Sequence, residues 1–165
     1  MSLPPFQRIL DAHAPHVQRF LVAAVGRNDA DDCFQETFLS ALRAYPRLRH
    51  GTNLRAWVLT IAHHKAIDSH RARARRATPT GSVPERPAKE PADADPELWA
   101  AVRALPPKQR DAVLLRYVND LSHADIGTVL DCTEEAARRN VHEGVKKLRS
   151  IGLDHQADME REVSS

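Results

Sequence analysis

Aromatic side chains and glycine are both scarce here: aromatics make up 5% of the chain, and there are six glycines in 165 residues. Few β-formers and few turn-makers weigh against an all-β fold, while abundant Ala, Leu, Arg and acidic residues favour helix. The two cysteines, Cys33 and Cys132, are too few and too far apart for a disulfide scaffold. They read as reduced thiols of a cytoplasmic protein. No apolar run approaches the roughly 20 residues that a bilayer crossing needs, so no membrane association is expected. The opening MSLPPFQRIL lacks the basic-then-apolar layout of a secretion signal. A phosphate-cradling glycine loop and a nucleophile–base set are both missing, and no His or Cys spacing suits a metal. The expectation is therefore a non-enzyme without catalytic residues, metal or cofactor.

Charge is present but uneven. From Arg47 to Arg76 there are eight Arg or Lys against the single acid Asp68, in a chain whose net charge is only +2. Within that stretch NLRAWVLTIAHHKAIDSHRARARR places Leu54, Trp57, Val58, Ile61 and Ala62 at helical spacing. It then becomes a basic rod carrying Arg71, Arg73, Arg75 and Arg76. A helix macrodipole welcomes one or two cations at its C-terminus; four with no interleaved acid exceed that need and point to phosphate.

Around this stretch the chain divides into parts. A first helix is expected from about Pro5 to Val25, kinked or broken at Pro15 and stopped by Gly26-Arg27-Asn28. Asp29 reads as the N-cap of a second helix reaching Tyr45, its buried side formed by Cys33, Phe34, Thr37, Phe38, Ala41 and Leu42. Asp32, Gln35, Glu36 and Leu39 flank that side. Pro46 ends the helix, a polar loop follows, and Asn53 or Thr52 caps the basic helix. After it, ATPTGSVPERPAKEPADADP holds five prolines and almost no large apolar residue, the composition of a flexible acidic linker. A second helical unit then starts with PELWAAVRAL and PKQRDAVLLRYVN, the latter turning Ala112, Val113, Leu115 and Val118 inward. Ser122 and Asp125 have capping-box spacing ahead of a short helix. Asp131-Cys132 makes a tight turn, and Thr133 caps a long basic helix. Two helices about so short a turn have the form of a helix-turn-helix. The division is 1–77, a linker 78–95, 96–151 and a frayed tail 152–165.

DADDCFQETFLSAL and NLRAWVLTIAHHKAID, then a loose linker, then ALPPKQRDAVLLRYVNDLSHADIGTVLDCT, together resemble the extracytoplasmic-function (ECF) sigma factors of the sigma-70 family. The resemblance covers roughly residues 5–150. It implies an all-α protein of two small helical domains, a region 2-like bundle and a region 4-like helix-turn-helix, on a flexible linker. It implies binding to bacterial core RNA polymerase through the β′ clamp helices and β flap, promoter recognition and −10 melting, with an anti-sigma factor as a further partner. On that reading Asp32, Gln35, Glu36, Phe38 and Leu39 face the polymerase. Arg47, Arg49, Asn53, Arg55, Trp57, His64, Lys65, Arg71, Arg73 and Arg75 face the −10 element, where an extruded base needs a polar pocket and stacking surfaces. Trp57 matches an aromatic position of the melting region, although a Trp on an apolar stripe is ordinarily core. His63 and His64 stand where many relatives carry Arg-Asn. Thr133, Arg138, Arg139, Asn140, His142 and Lys146 face the −35 element. Glu134, Glu135 and Glu143 bring acids to that helix, and Glu143 is expected to pair with Arg139 or Lys147. The acids predict weak −35 binding outside the polymerase complex. The linker would thread the RNA exit path.

A stand-alone dimeric helix-turn-helix regulator would account for the second unit but not the first. A nuclease or deaminase would need clustered carboxylates or a Cys-x-x-Cys site, and neither is present.

Overall fold

The computed structural model describes residues 3–76 and 95–163, with side chains described through residue 152. The expected linker falls outside the described residues except for Asp95. Every regular element among those residues is helical: α1 Phe6–Val25, α2 Arg27–Ala44, a 3₁₀ turn Tyr45–Arg47, α3 Leu54–Arg76, α4 Pro96–Ala104, α5 Pro107–Tyr117, α6 His123–Leu130 and α7 Glu134–Val163.

Helices α1, α2 and α3 pack on one another, and α5, α6 and α7 form a second group with α4 against it. The first core is built from Val17, Phe20, Leu21, Ala30, Val58, Leu59 and Ala62, each fully buried. The second holds Ala112, Leu115, Ile126 and Ala137, also at 0% exposure. The two groups do not stand apart. α3 lies against α6, and α1 against α4 and α5, so buried apolar residues form one continuous cluster across both units.

Several local expectations give way to a simpler geometry. α1 runs through Pro15 without a break. Gly26 alone separates α1 from α2; its φ of 83° suits a residue without Cβ, and α2 begins at once. Asp29 is therefore not the N-cap but lies in the first turn, where its carboxylate complements the helix dipole. Pro46 does not end α2 abruptly; the chain tightens from Tyr45 into a 3₁₀ turn containing it. Leu42, expected inside, is 50% exposed, while Cys33, Thr37, Phe38 and Ala41 are buried. The tail does not fray at Gly152, since α7 continues to Val163.

The caps follow the sequence more closely. Asn53 Oδ1 accepts from Ala56 N at 3.1 Å, so Asn53 and not Thr52 caps α3. Asp95 caps α4 through Glu97 N at 3.0 Å and Leu98 N at 3.4 Å. Ser122 Oγ accepts from Asp125 N and Thr133 Oγ1 from Ala136 N, both at 3.1 Å. Asp131 takes the left-handed turn between α6 and α7 with φ 54°. There α6 approaches so closely that a Cβ on Gly127 would lie 2.7 Å from the Cys132 carbonyl oxygen. The helix-turn-helix corner thus requires glycine for space and not only for turn chemistry.

Candidate nucleic-acid interface

α3 carries three kinds of surface because its residues are sorted by helical angle. Val58, Leu59, Ala62 and Ala66 form the side buried against α1 and α2. Asn53, Trp57, His64, Arg71 and Arg75 recur at intervals of four and seven and share one stripe. All of these are exposed except Trp57, which is half-buried and packed against the core. His63 faces the second helical group, 9% exposed with Nδ1 3.3 Å from Asp111 Oδ2.

The expected −10 residues are therefore divided. Arg47, closing the 3₁₀ turn, and Arg49, on the loop before α3, are both exposed. Arg55 is half-buried, and Arg73, though exposed, leans on α2. The Arg55 charge acts on His13 and His16 of α1, and Arg73 pairs with Asp29 of α2 at 3.3 Å. Lys65 is half-buried, and its carbonyl lies 3.8 Å from the Cys33 sulfur. Burial pushes the Cys33 thiol up from its ordinary range, assisted by the acids Glu36, Asp29 and Asp32 and opposed by a hydrogen bond with Ser69. Such a thiol is a poor nucleophile.

On α2, Asp32, Gln35, Glu36 and Leu39 are exposed, Leu39 at 53%. Phe38 points the other way, 7% exposed with its ring centroid 4.8 Å from that of Phe34. It supports the surface from beneath. On α7, Arg138, Arg139, His142 and Lys146 are exposed and Asn140 is half-buried. His142 and Lys146 line a shallow concavity of about 280 Å³ with Val145, Arg149 and Ser150. Glu143 accepts from Gln109 of α5 at 3.2 Å, not from the expected Arg139 or Lys147, and among the described residues of this helix Arg138 pairs at i,i+4 with Glu134 at 3.2 Å. No group of three or more metal-ligating side chains gathers among the described residues, and no described helix is long and apolar enough to cross a membrane.

The sequence did not reveal the contacts that join the two halves of the chain. Asn119 is fully buried and donates from Nδ2 to the His16 carbonyl at 2.9 Å, over a separation of 103 residues. Asp111 is 5% exposed, held by Arg110 Nε at 3.1 Å besides His63. Its one sequence signal was position, since it precedes Leu115 and Val118 by four and seven residues on the inward stripe of α5.

Two families match in the order this geometry requires. Sigma-70 region 2 matches residues 9–76 and sigma-70 region 4 matches residues 96–148. The chain is 35% identical to the RNA polymerase sigma factor CarQ of Myxococcus xanthus over 161 residues, covering 88% of each chain. The chain belongs to the ECF sigma factors. It is 34% identical to the ECF RNA polymerase sigma factor SigD of Mycobacterium tuberculosis, covering 87% of this chain and 74% of that one. The fold resembles the sigma factor RpoE of Bartonella quintana, solved with the anti-sigma factor NepR: TM-score 0.79 at 23% identity, covering 90% and 96% of the two chains. It also resembles CnrH, solved with the cytosolic domain of CnrY: TM-score 0.70 at 20% identity, covering 91% and 88%. An ECF sigma factor is an initiation subunit that binds core RNA polymerase and promoter DNA, and the stand-alone regulator is not favoured.

Proposed function

We propose that this sigma factor works through three separate surfaces: α2 for the polymerase, the α3 stripe with its preceding loop for the −10 strand, and the first turns of α7 for the −35 duplex. The protein is a cytoplasmic subunit with no chemistry of its own. The division into a region 2-like unit at 1–77 and a region 4-like unit at 96–151 follows the same reading.

The observation that carries it is on α2. Leu39 and Leu42 are 53% and 50% exposed beside Asp32, Gln35 and Glu36, a pair of apolar anchors in an acidic and polar rim. Interfaces concentrate their energy in a few such anchors. The α3 stripe suits single-stranded DNA, with guanidinium groups for the backbone and the edge of Trp57 beside them. The α7 face offers Arg138, Arg139, His142 and Lys146 to a groove, with Glu134 drawing part of the Arg138 charge away. That pairing supports a −35 contact which is weak alone and gains from tethering within the holoenzyme.

An anti-sigma factor is a further partner on this reading, as in the RpoE structure, which holds the anti-sigma factor NepR. A cleft of about 630 Å³ between α1 and α4, floored by Val22, Trp99 and Val118, offers it an apolar foothold.

Reconstituted transcription tests the proposal. Replacing Gln35, Glu36 and Leu39 together by Ala is expected to weaken binding to core polymerase roughly thirtyfold, given a hot-spot loss of about 2 kcal/mol. Promoter-specific transcripts should fall in step while helical content is unchanged. Unaltered affinity for the core enzyme would refute the assignment of α2.

A further inference from the structure

The cleft of about 630 Å³ between α1 and α4 belongs to none of the three surfaces that meet polymerase or DNA. α4 packs on α1, α5 and α7, yet the junction leaves apolar side chains uncovered. Val22 of α1, Trp99 of α4 and Val118 at the end of α5 are only half-buried. Each packs against the core and also lines the cleft.

Charge is gathered on the same lining. Arg19 of α1, Arg27 at the start of α2 and Arg103 of α4 all reach the cleft, and all three are exposed. Asp31 is the single acid among its described lining residues, and its Oδ1 accepts from Gln18 Nε2 at 3.4 Å. Three cations against one anion leave a net +2. The Arg19 and Arg27 side chains form no ion pair among the described residues. A concave apolar site of a few hundred cubic ångströms with a few polar groups, placed between two domains, is the usual form of a small-molecule pocket.

We infer that the cleft binds a free fatty acid of medium chain length, its chain covering Val22, Trp99 and Val118 and its carboxylate lying among the arginines. The lining selects this chemistry by exclusion. A purely ionic occupant such as phosphate would leave the indole and the valines uncovered, whereas a cation would be repelled by the net charge. A sugar or nucleoside needs several hydrogen-bonding partners, and Gln18 is the one amide or hydroxyl side chain in the described lining, already bonded to Asp31. A carboxylate needs only its head satisfied, and guanidinium groups do that through paired N–H donors. The site depends on none of the roles proposed for α2, α3 and α7. Its floor is also the foothold offered to a protein partner, so a bound chain and that partner exclude each other.

The full-length protein carries its own reporter, since Trp99 is part of the floor. Laurate below its micelle concentration is titrated while tryptophan emission is followed, with dodecanol and dodecyltrimethylammonium as neutral and cationic probes of the same chain length. A saturable change is expected for laurate, absent from Trp99→Phe. From octanoate to laurate, affinity should rise by up to roughly fourfold per added methylene. Arg19→Gln and Arg27→Gln together, at exposed positions, should weaken laurate binding roughly tenfold and leave dodecanol binding unchanged, with helix content confirmed by circular dichroism. Equal affinity for all three probes, or a double variant that binds laurate as the parent does, would overturn the carboxylate assignment. A laurate response that persists in Trp99→Phe would move binding away from the cleft, and no saturable response by emission or calorimetry would overturn the site altogether.

Discussion

The two buried sides of α3 are made of different material. Towards α1 and α2, Val58, Leu59 and Ala62 are fully buried and Ala66 is 3% exposed, and the stabilisation comes from water exclusion. Towards α5 and α6, the seam between the two helical groups, the apolar cluster continues, and polar pairs join it: Asn53 with Asp125, His63 with Asp111, and nearby Asn119 with the His16 carbonyl. An apolar side chain taken from the core to water loses about 1.5–3 kcal/mol with nothing to replace it. A parted polar pair is rehydrated on both sides, which is why contacts between domains can be more polar than contacts within one. The same helix therefore meets the first domain through apolar burial and the second through apolar burial with polar pairs added.

The widest contrast should appear between Leu59→Ala and Asp125→Ala. Leu59 has no exposed surface, and truncation of such a residue costs about 2–5 kcal/mol through lost transfer energy and a residual cavity. Much of a small domain's total stability is of that size. Asp125 bonds Asn53 at an exposed position, and its removal is expected to cost under about 1 kcal/mol. Urea denaturation followed by circular dichroism measures both. Equal losses would mean that the seam is part of one indivisible core.

Acid should act more mildly and chiefly on the polar side. Burial holds His13, His16 and His70 below their ordinary values. Arg55 adds to the effect at His13 and His16, while at His70 Arg110 lowers the value and Asp111 opposes it. The folded state thus binds fewer protons than the unfolded chain. Stability from these groups is fully present above the ordinary histidine value of about 6.5 and is lost as pH falls through the lowered values. His16 supplies the carbonyl that holds Asn119, and His70 feels Arg110 and Asp111, so both lie at the seam. Denaturation midpoints should drop between pH 7.5 and pH 5.5, and His70→Gln should flatten that dependence. A midpoint independent of pH would remove the histidines from the account.

Legibility in the sequence followed the range of each interaction. Helices, caps and the left-handed Asp131 depend on neighbours within a few residues, and Asn53, Ser122 and Thr133 serve as caps as their spacing indicates. Gly26 shows the limit even at short range, since one residue sufficed where Gly26-Arg27-Asn28 suggested a longer break. The basic stripe was visible as composition, but not its division. Arg55 and Arg73 look equivalent to Arg71 in the sequence, and only the packing of α1 and α2 brings Arg55 beside His13 and Arg73 beside Asp29. Asp125 illustrates the remainder. Its spacing from Ser122 announces a capping role, and nothing local reveals that its side chain is taken by a residue 72 positions away.

The smallest change in stability is expected at the far end of the second domain, and it sharpens the contrast from outside the seam. Arg139 is exposed on α7, and replacing it by Ala should alter folding stability by no more than about 0.5 kcal/mol. On the proposed reading its effect is on DNA. If Arg139 meets a phosphate, affinity for a −35 duplex should weaken for all sequences alike, and the slope of log affinity against log salt should fall by about one. If it reads a base edge, discrimination at one position should drop while the slope changes little. Anisotropy titrations of the holoenzyme at several salt concentrations separate the two. A variant with neither change would take Arg139 out of the interface and shift the −35 contact towards His142 and Lys146, the exposed residues that follow on the same helix.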